Sequence, residues 1–153
     1  MQIVLFEPEI PPNTGNIARL CAATNTPLHL IKPLGFSLAD KYLKRAGLDY
    51  WPHVNLTVWD TLEDFLQGPG GGKRLIATSA RHGSNLHEFA FESDDVLLFG
   101  PETRGLPGHV LETVPHHIRI PILNTVRSLN LSTAAGIILY QALIRSGEIS
   151  KLG

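Results

Sequence analysis

Short apolar runs alternate with helical patterns along the chain, and this alternation restricts the possible fold more than any other feature. Six runs predict buried strands, at residues 2–6, 28–31, 54–59, 75–79, 96–99 and 117–120. Between strands, apolar residues recur at helical spacing, as at Ile17, Leu20 and Cys21. Strands that alternate with helices predict an α/β protein with one mainly parallel sheet and helices on both faces. The length of 153 residues predicts a single domain over residues 1–153.

Composition narrows the class of protein. Hydrophobic residues make up 43% of the chain and charged residues 18%, which argues against disorder. No apolar run reaches the roughly 18 residues that a membrane-spanning helix needs. The first residues, MQIVLFEPEIPP, lack the basic region and cleavage site of a signal peptide, so we expect a soluble cytoplasmic protein. The net charge of −1 argues against a surface coated in positive charge, but it leaves room for a local basic patch.

Neither a disulfide nor a metal site is predicted. Cys21 is the only cysteine, so no disulfide can form within the chain. Its place on the apolar side of a helical pattern predicts a packing role. The seven histidines do not fall at metal-ligand spacings with this cysteine, so we expect no bound metal.

Four loops that follow predicted strands are rich in Gly, Pro, Asn or Arg: PPNTGN, TSARHG, GPETRGLP and PILNTVRS. Because ligands of parallel sheets bind beyond the carboxyl ends of the strands, we expect these loops to form one site. In the first loop, Asn13 is predicted to cap a helix that begins at Thr14 and whose free N–H groups favour a polar ligand. In the third, Gly100 is predicted to let a ligand approach the backbone, and Glu102 and Arg104 are close enough to form an ion pair.

The segment Ile118–Gln141 joins a polar turn to a helix that is apolar nearly all round. In the turn, Ser128 offers hydrogen bonds, while Ile120 and Leu129 offer apolar contacts suited to a flat aromatic ring. On the helix, residues 134–144 would leave an apolar flank on a monomer, and exposed patches of that kind mark interfaces. The segment therefore predicts a binding site and an interface side by side.

Three segments together resemble the three motifs of the SPOUT methyltransferases. They are NTGNIAR, which starts at Asn13, LFGPETRGLP, which starts at Leu98, and IPILNTVRSLNLS, which starts at Ile120. The opening EPEIPPNTGN and the internal RAGLDY resemble, more narrowly, the short single-domain enzymes that 2′-O-methylate the wobble nucleotide of leucine tRNAs. The match runs through nearly the whole chain. Three motifs in this order, in a chain of this length, are a specific signature of the family.

The resemblance implies a SPOUT-type fold with a C-terminal trefoil knot, and a homodimer as the working unit. It also implies S-adenosylmethionine as the methyl donor, with S-adenosylhomocysteine as the product. No residue pattern indicates the knot, which is rare among protein folds. The implied cofactor-binding residues are Thr78, Gly100, Ile120, Ser128 and Leu129. Tyr140 lies on the helix that resembles the dimer interface of the family.

The resemblance further implies that Arg19 acts on the ribose 2′-hydroxyl. Because a guanidinium does not readily give up its proton, we interpret Arg19 as orienting the hydroxyl or a phosphate and stabilising negative charge. The general base stays unassigned. RNA contacts are predicted at Asn16, Lys41, Lys44, Arg45, Arg104 and Arg127. Two alternatives stay open: a 2′-O-methyltransferase acting on another tRNA or rRNA site, and a non-catalytic RNA-binding module.

Overall fold

The computed structural model describes residues 1–41, 43, 45 and 49–153. Within this part, the strands are β1 (Gln2–Phe6), β2 (Leu28–Ile31), β3 (Leu56–Trp59), β4 (Leu75–Thr78), β5 (Ser84–Asn85), β6 (Val96–Phe99) and β7 (His116–Arg119). The α-helices are α1 (Pro11–Thr24), α2 (Leu62–Gln67), α3 (Gly108–Leu111) and α4 (Leu131–Arg145). Short 3-10 turns lie at Trp51–His53, Leu86–Glu88 and Glu148–Lys151. None of the described helices is both long and apolar enough to cross a membrane.

The described strands form one sheet in the order β3-β2-β1-β6-β4-β7-β5, and every neighbouring pair is parallel. The prediction of a single, mainly parallel sheet is therefore confirmed. The two-residue strand β5 was not predicted, because so short a run shows no periodicity; it pairs with β7 at the edge, with Ser84 opposite Ile118. Since β6, β4 and β7 are neighbours, the loops at their carboxyl ends meet in one place.

Two apolar layers cover the sheet, one on each face. Successive side chains of a strand point to opposite faces, so β1 sends Ile3 and Leu5 into one cluster and Val4 and Phe6 into another. The first cluster contains the apolar sides of α1 and α4, and the second contains those of α2 and α3. The predicted placement of helices on both faces is thus confirmed.

Helix α1 begins earlier than the sequence suggested. Its N-cap is Ile10, whose side chain forms no capping bond, and Pro11 and Pro12 occupy the first turn. Proline is tolerated there because the first N–H groups of a helix have no partner within it. The prediction that Asn13 caps a helix starting at Thr14 was therefore wrong. Asn13 lies inside the helix, only 5% exposed, where its Oδ1 accepts a hydrogen bond from another loop.

The sequence predicts the last helix at about residues 129–147, and α4, at Leu131–Arg145, is shorter. It begins after Asn130, whose Oδ1 accepts hydrogen bonds from the N–H groups of Ser132 and Thr133, at 2.9 and 3.3 Å. The donor that reaches Asn13 Oδ1 is Nδ2 of the same Asn130, at 3.0 Å. One asparagine therefore caps α4 and fixes it against α1. The sequence also predicts a short helix at residues 39–46, and this stretch lies partly outside the described residues.

Candidate functional site

A cavity of about 580 Å³ lies at the carboxyl ends of β4, β6 and β7. Three separate loops build its wall, as expected for a ligand site of a parallel sheet. The five residues that the resemblance implied as cofactor contacts all line it: Thr78, Gly100, Ile120, Ser128 and Leu129. Their contacts with a cofactor stay a prediction, but the fold brings them together from positions up to 51 residues apart in the sequence, from Thr78 to Leu129.

The wall of this cavity combines apolar and polar side chains. Its apolar part includes Phe99, Leu106 and Ile138, and its polar part includes Ser79 and Thr103. Small-molecule sites in proteins have this composition, because apolar surface supplies affinity and a few polar groups fix orientation. The cavity can therefore accept a molecule with a flat ring and several hydrogen-bonding groups.

Gly100 is required for a further reason that the sequence did not show. A Cβ at this position would collide with the backbone of Gly105 and Leu106. The missing side chain therefore makes room for the chain that folds back after β6, while the approach of a ligand to this backbone stays a prediction. Gly105 has a φ of +67°, which favours glycine at the point where the chain reverses.

Carboxylates tie the loop after β1 to the loop after β6. Glu102 accepts hydrogen bonds from the N–H groups of Glu9 and Ile10, at 2.8 and 3.3 Å. In return, the Glu9 carboxylate accepts from the N–H and the hydroxyl of Thr103, at 3.0 and 2.8 Å. The backbone hydrogen bond from Thr103 is the main cause that lowers the pKa of Glu9. This reciprocal pairing fixes the start of α1 beside the cavity.

Arg104 forms its ion pair with Glu7, at 2.6 Å, and not with Glu102. The predicted pairing of Glu102 with Arg104 was therefore wrong, because the carboxylate of Glu102 is turned towards the backbone of the other loop. Arg104 still lines the cavity, and so does Arg127, which is exposed. Their predicted contact with RNA stays a prediction, and the negative charge of Glu7 offsets part of the positive charge of Arg104.

Arg19 lies on the exposed side of α1 and does not line the cavity. Its guanidinium carbon is 4.6 Å from the centroid of the Tyr50 ring, which is cation–π distance. Asn16, one turn earlier on α1, is exposed as well. No sequence pattern predicts a contact between Tyr50 and Arg19, which are 31 positions apart.

The other predicted RNA contacts are only partly described. Lys41 and Arg45 are exposed, while Lys44 lies outside the described residues. Their contact with RNA stays a prediction.

Helix α4 exposes three large apolar side chains on one side. Ile137 and Tyr140 are each 41% exposed and Ile144 is 55% exposed. Positions separated by three, four and seven residues lie on the same face of a helix, so these side chains form one apolar stripe. Tyr140, predicted at a dimer interface, lies in the middle of it.

No cluster suited to a metal ion is found among the described residues, judged by groups of three or more His, Cys, Asp or Glu. Cys21 is buried in the core, and burial raises the pKa of its thiol to about 12. A thiol that keeps its proton is a poor nucleophile, which agrees with the predicted packing role.

One lining residue that the sequence did not single out is Arg81. The loop TSARHG was expected at the site, but nothing in its pattern distinguished this arginine. In the fold, Arg81 Nη1 donates to Asn124 Oδ1 at 3.0 Å and Nη2 donates to the carbonyl of Val126 at 3.1 Å. It thereby joins the loop after β4 to the loop after β7.

Comparison with known proteins identifies the family. Residues 1–140 match the model of the SpoU rRNA Methylase family. A tRNA (cytidine(34)-2′-O)-methyltransferase from Methylovorus glucosotrophus (strain SIP3-4) is 51% identical over 142 residues, which cover 92% of each chain. A solved structure from work on 2-OH methylation of C/U34 on tRNA is 50% identical, with a TM-score of 0.91 and 96% of each chain covered.

A more distant structure has the same fold. An AdoMet-bound rRNA methyltransferase from Sinorhizobium meliloti is 25% identical, with a TM-score of 0.84, and the match covers 94% of this chain and 55% of that one. The resemblance to SPOUT methyltransferases is confirmed, while the trefoil knot stays a prediction. This chain belongs to the SpoU methylase family of methyltransferases.

Proposed function

We propose that this protein transfers the methyl group of S-adenosylmethionine to the ribose 2′-hydroxyl of the wobble nucleotide, cytidine or uridine 34, of tRNA. The observation that carries the proposal is the cavity, whose wall contains all five residues of the predicted cofactor site. The relatives at about half identity support the substrate, because their names specify the 2′-oxygen of nucleotide 34.

The cavity wall fits the chemistry of the proposed methyl donor. Apolar side chains such as Ile120 and Leu129 can contact an adenine ring, and the Ser128 hydroxyl can bond a polar edge. The Thr78 hydroxyl donates to the carbonyl of Leu98 at 3.1 Å, so its oxygen keeps capacity to accept a further bond. When bound, S-adenosylmethionine supplies an activated methyl group on a sulfonium. The protein then has to align the attacking hydroxyl and help to remove its proton.

In this proposal, Arg19 orients the 2′-hydroxyl or the adjacent phosphate and stabilises negative charge on the oxygen. Five donors in a planar fork suit both tasks, and the charge persists at neutral pH. Within one chain, Arg19 is not among the cavity-lining residues. The proposed role therefore needs either an approach of Arg19 to the cavity when tRNA binds or an Arg19 supplied by a second protomer.

A homodimer is part of the proposal. Its support is the apolar stripe on α4, formed by Ile137, Tyr140 and Ile144. Exposed apolar side chains in a row favour association, because contact removes them from water. A dimer also offers a larger surface to a tRNA than one short chain, with the cofactor held by one protomer and RNA contacts made by the other.

The specificity for leucine tRNAs rests on the motif resemblance and is the finer part of the proposal. It is tested by incubating total tRNA from a strain that lacks this gene with labelled S-adenosylmethionine and the purified protein. Methylated tRNAs are then isolated and the modified ribose is mapped. Label at nucleotide 34 of leucine isoacceptors is the expected result.

Other results of this experiment separate the alternatives. Label at nucleotide 34 of other tRNAs would overturn the leucine specificity only. Label at another tRNA position would overturn the wobble assignment. So would label in rRNA and not in tRNA in a parallel reaction with total RNA. Absence of S-adenosylmethionine binding in calorimetry would overturn the enzymatic function and favour an RNA-binding module.

A further inference from the structure

The segment from residue 121 to residue 129, which follows β7, is held by few polar contacts. Among the described residues, the hydrogen bonds found between this segment and the rest of the chain are those donated by Arg81 to Asn124 and Val126. Apolar burial does not hold its middle either, because Leu123 is 79% exposed and Val126 is 50% exposed. One guanidinium therefore supplies most of the specific attachment of the segment.

The loop that carries Arg81 is itself well fixed. The Ser79 hydroxyl oxygen accepts hydrogen bonds from the N–H groups of Arg81 and His82, at 3.2 and 3.1 Å. At the end of the loop, Gly83 has a φ of +103° and lies against the backbone of His117, where a Cβ would collide with the chain. Arg81 thus extends from a loop that is fixed by several contacts to a segment that has few contacts of its own.

The attached segment forms one side of the cavity. Ile122, Arg127, Ser128 and Leu129 all line it, whereas Asn124 does not. Release of the bond between Arg81 and the segment would let this wall move outwards. A wall with few contacts of its own belongs to the regions of a protein that open with the lowest free energy.

We propose that Arg81 is a positioning residue that closes the segment 121–129 over the cofactor cavity and thereby slows release of the cofactor and its product. The inference rests on the proposed function, because it assumes that S-adenosylmethionine occupies this cavity. The attachment of the segment by Arg81 does not depend on the ligand and is measured separately.

The first experiment measures the rate of cleavage within residues 121–129 by chymotrypsin in the ligand-free protein, because cleavage follows the population of the opened segment. Arg81→Ala should raise this rate about tenfold, the scale expected for losing a hydrogen bond from a charged donor. Asn124→Ala, which removes one of the two acceptors, should raise it by a smaller factor. His82→Ala changes the neighbouring side chain and should leave the cleavage rate unchanged. An unchanged cleavage rate in Arg81→Ala would overturn the proposal.

The second experiment measures the release of S-adenosylmethionine and S-adenosylhomocysteine by stopped flow. Both Arg81→Ala and Asn124→Ala should release the ligands faster, with a raised KM for the cofactor and a nearly unchanged kcat. Arg81→Lys, which keeps one donor, should restore part of the slow release. The double variant should release no faster than Arg81→Ala, since both changes break the same attachment.

Three outcomes decide between explanations. If Arg81→Ala weakens cofactor binding while Asn124→Ala has no effect, Arg81 acts by direct contact and the proposal is wrong. If the cleavage rate rises but release rates stay the same, the segment does not control the cavity and the proposal is also wrong. If the unaltered protein binds no S-adenosylmethionine, the proposed function fails, and the cleavage measurement still decides whether Arg81 holds the segment.

Discussion

The two ends of the parallel sheet use charged side chains in opposite ways. At the amino end, Arg74 makes two hydrogen bonds of 2.7 Å to Asp95, which is completely buried. Asp95 also accepts the N–H of Glu92 at 2.8 Å, so this pair closes the turn that leads into β6. At the carboxyl end, the Glu102 carboxylate accepts from the N–H of Glu9, and the Glu9 carboxylate accepts from the N–H of Thr103. These bonds join two loops beside an open cavity.

The two ends differ in how far their carboxylates are removed from water. A buried carboxylate such as Asp95 needs all its partners, because an unpaired charge inside a protein is costly. Carboxylates that stay in contact with water contribute little to stability, and their geometry matters more than their energy. We therefore expect changes at the amino end to alter stability and changes near the carboxyl end to alter binding and catalysis.

The largest expected effect is on the reaction. Arg19→Ala should lower the rate of methyl transfer to tRNA about a thousandfold, the upper end for removing a group that stabilises negative charge in the transition state. Cofactor affinity should stay the same, because Arg19 does not line the cavity. Both are measured on the same preparation, by labelled methyl transfer and by calorimetry. A nearly normal rate would remove Arg19 from the mechanism.

At the amino end, the expected effect is on folding. Arg74→Met should lower the free energy of unfolding by about 3 kcal/mol, since it leaves the Asp95 carboxylate buried without its main partner. Urea denaturation measures this loss. Lys32→Met is the matched control, because its ion pair with Asp60 is exposed and should contribute less than about 1 kcal/mol. Equal losses in the two variants would contradict the distinction between the ends.

A buried histidine should make stability depend on pH. Burial lowers the pKa of His29 from 6.5 to about 4 in the folded protein. Its ring is held by Trp59 Nε1, which donates to Nδ1 at 3.0 Å, and by Gln2 Oε1, 2.9 Å from Nε2. Between these pH values the unfolded chain binds a proton that the folded protein does not. The free energy of unfolding should therefore fall by up to about 3 kcal/mol as the pH drops from about 6.5 to about 4.

The assignment of this pH dependence to His29 is checked with a variant. Urea denaturation at several pH values should show a flatter dependence in His29→Gln, even if that variant is less stable throughout. The same slope in both proteins would assign the titration to other groups.

A smaller effect is expected from the ring beside Arg19. Tyr50→Leu should lower the rate of methyl transfer roughly fivefold, on the scale of an exposed cation–π contact of about 1 kcal/mol, because the guanidinium loses its contact with the ring. Tyr50→Phe keeps the ring and should restore most of the rate. If both variants lose the same activity, the hydroxyl and not the ring is what matters.

The smallest effect is expected from the carboxylate pairing near the cavity. Glu9→Gln keeps an acceptor for Thr103 but removes the charge, so cofactor affinity should fall only about threefold, the low end for one hydrogen bond. Stability should hardly change. A loss of stability as large as that of Arg74→Met would show that the carboxyl end is built like the amino end.

Much of the fold and part of the site follow from local patterns. The strand at residues 2–6 was predicted with its correct bounds, because a short apolar run between turn residues has few other solutions. The cavity-lining residues Gly100 and Ser128 were predicted through their motifs, which are continuous in the sequence. The start of α1 was missed because Asn13 is a good capping residue, whereas the structure uses it to bind Asn130, 117 residues away.

The sequence by itself determined the parallel sheet, its helices on both faces and the loops that could hold a ligand, since these depend on periodicity and on neighbours along the chain. Only the tertiary structure decided which side chains meet. The attachment of Asn124 to Arg81, the pairing of Arg104 with Glu7 and the contact of Arg19 with Tyr50 all join distant segments. The physical reason is that a hydrogen bond or ring contact depends on distances of a few ångströms, which local propensity does not encode.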